Sequence, residues 1–322
     1  MTALNAWNQL KSYQTTDTVQ KFLDKCYQKS SQSLPAELSY QNSYPFVYHL
    51  KHAENFYLSA ENASLPVKPM LLFYGMAQLI KACILTKDPE YPAASSVLAH
   101  GVSSRKRKKQ HYRFLQDEVK IQRNGLFAHA AFHLYSLQHV ENDKYSMHEL
   151  LKRVPEIGDL FKMHKQKDVH IGIGVDDQHI HLPKNAAASY HMTPDRMLDY
   201  LHHHFQLDKA GETDEVMSLV LPESFNAFSS PPFLYNQQSC TYSLPASLND
   251  LAGLPEFLAH YLLLYNLSMI SRYETEWWYE LMLSHSQDDY VFIVRFLEAT
   301  KDKIPQMALT FLNQMREKSM QG

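Results

Sequence analysis

Cysteine is scarce: Cys26, Cys83 and Cys240 are the only three in 322 residues, far apart and without a paired spacing. That excludes a cysteine-based zinc module and predicts reduced thiols in a cytoplasmic setting. The opening MTALNAWNQLKSYQ has no apolar core, so no signal peptide is expected. The apolar run around Leu262 is short and interrupted by His260, Asn266 and Arg272, which excludes a membrane span there. Charge of one sign is also lacking. A formal net charge of −3 excludes a general polyanion binder while permitting a local basic patch. There is no glycine-rich phosphate loop leading to Lys-Ser/Thr, no G-x-S-x-G and no dinucleotide fingerprint. IGIG at 171–174 reads as strand interior rather than as a strand-to-helix turn, so no cofactor is expected.

Helical periodicity dominates what is present. From Gly253 to Leu283, Leu254, Phe257, Leu258, Tyr261, Leu262, Tyr265 and Met269 recur at spacings of three and four, which predicts one long buried helix. Tyr261, Tyr265, Ser268, Arg272 and Glu276 fall roughly on one line of it. Arg272 then either pairs with Glu276 one turn on, as scaffold, or belongs with Tyr273 to a binding site. Its head is expected to be mostly buried and bonded to a carboxylate or to backbone carbonyls. Thr15, Thr16 and Asp17 introduce a short helix, and Pro45 a second that ends near Asn62. MLLFYGMAQLIKACILT is apolar nearly all round, as the central helix of a bundle is. Pro45 to Thr86 therefore reads as a helical hairpin whose second arm packs on the Tyr261 helix. At the C-terminus, DDYVFIVRFLEATKDK and PQMALTFLNQMREK read as two closing helices.

The densest charge lies in Arg105, Lys106, Arg107, Lys108, Lys109 and Arg113, just after His100-Gly101 in an expected loop. Such a run is either a solvated surface or a phosphate contact, with Tyr112 and Phe114 available to stack on bases. Asn124-Gly125 marks a turn between VKIQ and LFAH.

From about Lys165 the period switches to two. Val169, Ile171, Ile173 and Val175 alternate with His170, Gly172 and Gly174, and Ile180 and Leu182 with His179 and His181. A turn at Asp176-Asp177 predicts an antiparallel hairpin with Ile171 facing Leu182 and Gly172 facing His181. Thr193-Pro194 then starts a helix, and strands are expected at EVMSLVLP and FLYNQQSCTYSLP. His170, His179 and His181 share a strand face, but the following triple His202, His203 and His204 cannot grip one ion because successive helical positions point about 100° apart. No carboxylate stands at a recognised ligand spacing with them, and no metal is expected.

SYQNSYPFVYHL, KPMLLFYGMAQLIKACIL, LAHGVSSRKRKKQ with GLF downstream, and SRYETEWW resemble the YaaC-like family of bacterial proteins over most of the chain. That resemblance implies no established reaction. Its members are often encoded beside IMP dehydrogenase, and relatives occur among presumed defence proteins. The helical part more loosely resembles the HEPN scaffold, which implies a metal-independent ribonuclease with an Arg-x(4–6)-His motif. Arg123 and His129 have that spacing, with the Asn124-Gly125 turn between them.

The fold class expected is α+β, mainly α. Residues 1–150 and 251–322 build one helical bundle around a β-containing insert over 151–250. The function expected is a cytosolic binding or regulatory protein with a nucleotide-like ligand or RNA. His100, Arg105, Lys106, Arg107, Lys108, Arg272 and Tyr273 would bind that ligand. A protein partner such as IMP dehydrogenase is implied by the resemblance alone. The alternatives are a HEPN-like endoribonuclease with Arg123 and His129 as its catalytic pair, and a structural interaction module using its Tyr and Trp residues at a homodimer interface.

Overall fold

The computed structural model describes residues 3–104, 112–223, 225–226, 228, 231–285 and 287–320. It is α+β, mainly α, with two antiparallel sheets among the described residues. The chain divides into two compact units, residues 1–150 with 260–322, and residues 151–259.

The first unit opens with helices α1 (Ala3–Leu10), α2 (Thr16–Lys29), α3 (Pro35–Asn62) and α4 (Lys68–Leu85). Pro45, expected to start a helix, lies inside α3 instead. It has no N–H to offer the Gln41 carbonyl, but both residues are exposed, where water can take that role. The apolar stripe of Phe46, Val47, Leu50 and Ala53 is buried in phase with Ser39, Asn42 and Ser43, so one continuous helix serves both sides of the proline. α4 is long and apolar enough to cross a membrane by length and composition, yet 67 % of it is buried inside the fold. Its Phe73 ring lies 5.2 Å from Tyr261, so the second arm of the hairpin does pack on the Tyr261 helix. Next come β1 (Val102–Ser104), β2 (Glu118–Ile121), α5 (Leu126–Tyr135), β3 (Lys144–Ser146) and α6 (Met147–Leu151), the strands forming a sheet in the order β1-β2-β3.

The second unit holds α7 (Gly158–Lys165), β4 (His170–Val175), β5 (His179–Pro183), α8 (Ala186–Ser189), α9 (Pro194–Phe205), β6 (Lys209–Glu212), β7 (Val216–Val220), β8 (Leu234–Asn236), β9 (Thr241–Pro245) and α10 (Leu248–Leu251). Its six strands run β6-β7-β5-β4-β9-β8. The hairpin of β4 and β5 keeps the expected faces but not the expected register. Gly174 faces His181 and Val175 faces Ile180. The turn is Asp177-Gln178, one residue later than expected, because Asp176 Oδ1 accepts the N–H of Gln178 at 2.8 Å and of His179 at 2.7 Å. Moving the turn by one residue moves the pairing by two, which leaves the side-chain alternation intact. Ile180 and Leu182 are fully buried, with Ile171 and Ile173 packed against the same core as Met197, Leu198 and Leu201 of α9.

The chain closes with α11 (Glu256–Tyr273), α12 (Thr275–Ser284) and α13 (Asp289–Met320). The single helix expected to Leu283 breaks at Glu274, whose backbone leaves the helical region at φ −117° and ψ 47°. Trp278 is thereby turned inward, and its indole N–H donates to the Pro66 carbonyl at 3.0 Å. The two closing helices are in fact one, since Pro305 sits within α13. An interior proline costs about 3 kcal/mol. The buried stripe of Phe292, Phe296, Ala299, Ile304 and Met307 runs through it and offsets that cost.

Candidate functional site

Two glycine turns position the candidate site. Gly101 has φ +75° and Gly125 φ +126°, conformations open to glycine, and the backbones of the two press against each other. Leu126 N donates to the Ala99 carbonyl at 2.7 Å and Phe127 N to the His100 carbonyl at 3.2 Å. Tyr261 of α11 adds its hydroxyl to that same His100 carbonyl at 3.0 Å. The loop is thus locked between α5 and α11, and the His100 ring sits 4.9 Å from Phe73, 6.0 Å from Tyr74 and 6.0 Å from Tyr265.

Arg272 closes this aromatic face. Its Nε–H donates to the Ser268 carbonyl at 2.9 Å, and a terminal nitrogen reaches the Tyr74 hydroxyl at 3.3 Å. The guanidinium carbon lies 5.9 Å from the centre of the Tyr74 ring and 5.3 Å from that of Tyr273. Arg272 is half-buried and Tyr273 exposed. The backbone-carbonyl bond expected of Arg272 is present. The pairing with Glu276 is not, because the break at Glu274 puts that residue, exposed, on the next helix. No carboxylate pairs with Arg272 among the described residues.

The face extends along α3 and α4. Phe56 stacks on Tyr74 at 5.8 Å and meets His52 at a tilt with ring centres 4.5 Å apart, while His49 Nδ1 and Gln78 Oε1 are 2.7 Å apart. Burial, then the positive charges of Arg272 and Lys81, hold the His100 pKa below its ordinary value. Burial lowers His49 to about 4, with Lys81 and His52 adding to the effect of burial and the Gln78 hydrogen bond opposing it. Burial lowers Lys81 as well. The result is uncharged imidazoles beside two cations and several aromatic planes. Such a surface suits an anion that carries a flat ring.

Arg105, Lys106, Arg107 and Lys108 lie outside the described residues. The chain on either side is held: Ser104 pairs with Val119 in the sheet, and Phe114 N donates to Asp289 Oδ2 at 2.6 Å. Phe114 is fully buried and therefore cannot stack on a base, contrary to expectation. Tyr112 meets Trp277 edge to face at 4.6 Å and donates its hydroxyl to Asp117 at 2.8 Å.

Arg123 stands exposed in the turn before α5, whereas His129 is one turn into that helix with its Nε2 2.8 Å from Asp88 Oδ2. They do not share a helical face. His133, four residues on, and Asp88 complete the group of metal-capable side chains found among the described residues, with donor atoms all within 4.8 Å of one another. Neither residue was singled out from the sequence, although the i, i+4 histidine spacing was there to read. In the second unit the three strand histidines do not share one site: His179 Nδ1 lies 3.7 Å from Asp176 Oδ1, on the residue His181 also reaches, while His170 turns away. His170 Nε2 contacts the Lys152 carbonyl at 2.8 Å, while His181 Nε2 contacts Asp176 at 2.8 Å.

One unit is a helical bundle that carries an aromatic and cationic face, the other a smaller α+β unit, and together they define a mainly helical α+β protein. Residues 11–312 match the family described as YaaC-like Protein, and the chain belongs to that family. No curated protein and no solved structure matches it.

Proposed function

We propose that this chain is a binding and regulatory protein whose ligand is nucleotide-like and docks on the face of Tyr74, His100, Arg272 and Tyr273. One observation carries the reading: a half-buried guanidinium, lodged among tyrosines, has no carboxylate partner among the described residues. Its planar fork matches a phosphate, and a base stacked on Tyr273 or Tyr74 adds about 1–3 kcal/mol. Lys81 supplies a second cation, and the basic run from Arg105 to Lys108 follows β1 by one residue in the chain. The regulatory half of the reading, with IMP dehydrogenase as protein partner, rests on the gene neighbourhood of the family and is tested by co-purification of the two proteins.

Calorimetric titration with GMP, guanosine and inorganic phosphate tests the ligand class. The monophosphate is expected to bind, with phosphate alone and nucleoside alone each at least about tenfold weaker, because each forfeits one half of the contacts. Arg272→Lys should fold as the wild type does and lose that preference, since an ammonium cannot hold phosphate in the bidentate way. Nucleotide binding that is absent, or equal in Arg272→Lys, would sink the proposal.

A further inference from the structure

We propose that Asp88, His129 and His133 form a site for a first-row divalent metal ion of the zinc class. Asp88 lies three residues beyond α4, while His129 and His133 stand on successive turns of α5, which puts both imidazoles on one face of the helix. Asp88 Oδ2 lies 2.8 Å from His129 Nε2 and 3.8 Å from His133 Nε2. Ligand atoms held tetrahedrally at zinc–ligand distances of about 2.0–2.1 Å sit roughly 3.4 Å from one another. One of these two separations has to open, and the other to close, by about half an ångström to reach that geometry, a shift that side-chain rotation supplies.

A hydrogen-bonded Asp88–His129 pair would account for two of the three groups. His133 is the one it leaves out. The imidazole is half-buried, stands beyond hydrogen-bond reach of Asp88, and makes no hydrogen bond among the described residues. The two imidazole centroids are only 4.2 Å apart. Tyr91 packs its ring 5.2 Å from His129, and its buried hydroxyl has no hydrogen-bond partner among the described residues. The wall of the site therefore holds a spare polar group.

Two imidazoles and one carboxylate are a borderline donor set that favours zinc, cobalt or ferrous iron over magnesium or calcium. Three protein ligands leave a coordination position open to water or a ligand, the pattern of working rather than purely structural zinc sites. His179, His181 and the triple at 202–204 are exposed or half-exposed and form no such group among the described residues.

The test is cobalt(II) titration of the full chain, tag-free and stripped by chelator, followed by competition with zinc. One cobalt ion per chain is expected, with the visible absorption of four- or five-coordinate cobalt, displaced by zinc. His133→Ala removes no hydrogen bond and should keep the melting temperature of the stripped wild type, while losing at least about tenfold in affinity. His179→Ala/His181→Ala should leave both affinity and spectrum unchanged. If His133→Ala does not fold, Asp88→Asn is read in its place, with the same loss of cobalt affinity expected. Absence of saturable uptake by the wild type at micromolar cobalt, or uptake that survives His133→Ala unchanged, would overturn the site.

Discussion

Gly125→Ala tests whether the paired glycine turns hold the His100 loop against α11. Gly125 has φ +126°, and a methyl group there would overlap the backbone N and Cα of Gly101 and come 2.9 Å from the Ala99 carbonyl oxygen. All three contacts are main chain, which cannot swing aside as a side chain would. The unfavourable backbone conformation costs about 1–3 kcal/mol, and the overpacking a further 1–3 kcal/mol or so. Together they remove about 2–6 kcal/mol, a large share of the roughly 5–15 kcal/mol that holds a domain folded. At about 2–4 °C per kcal/mol for a unit of this size, the melting temperature should fall by roughly 4–24 °C. Gly172→Ala is the matched control, because a methyl group there has nothing within 4 Å. Urea denaturation of both variants reads the difference directly. Should Gly125→Ala unfold within about 0.5 kcal/mol of Gly172→Ala, the turns do not press on each other and the account of how His100 is placed is wrong.

Gly75→Ala should also destabilise, against the gain of about 1 kcal/mol that alanine brings to a helix, because its methyl group would meet the Tyr57 ring at 2.7 Å. A Tyr57→Leu background should turn the same change stabilising, and a wild-type-background gain in thermal denaturation would contradict the close approach of α3 and α4. His49 is held neutral, its pKa lowered by burial from about 6.5 to about 4. The unfolded chain therefore takes up a proton before the folded one does. The contribution is fully present above pH 6.5 and is lost progressively as pH falls toward 4, by at most about 3 kcal/mol. Stability measured across that window should be flatter in His49→Gln, and an unchanged slope would contradict the burial of His49. Single-stranded RNA incubated in chelator should remain intact, because Arg123 precedes α5 rather than sharing a face with His129. Cleavage that disappears in both Arg123→Ala and His129→Ala would contradict this.

The helical content was legible because period and burial agree. Tyr261, Tyr265 and Arg272 were readable as one line, and α9 begins where Thr193 accepts the Arg196 N–H. The misreadings share a physical cause, which is that local signals were outweighed by packing. Pro45 and Pro305 are strong helix breakers, yet each sits within a stripe that is buried on both sides of it. The break at Glu274 has no proline or glycine to announce it, and its reason is the inward turn of Trp278. The three-stranded sheet uses strands of three and four residues, too short for an alternating pattern to stand out. Of the candidate site, His100 ahead of the basic run, and Arg272 with Tyr273 at the end of the helical line, were readable from their own stretches. Tyr74, Gln78 and Lys81 were hidden inside a helix that reads as uniformly apolar, and Asp88 joins His129 across 41 residues of chain. No pattern in a single sequence reports such pairings.

The most direct measurement of the central claim is a crystal structure of the chain with GMP bound. The account predicts difference density against the Arg272 guanidinium, with the phosphate in its fork and the base on Tyr273 or Tyr74 beside His100. Nucleotide density elsewhere on the molecule, with the Arg272 face unchanged, would contradict it.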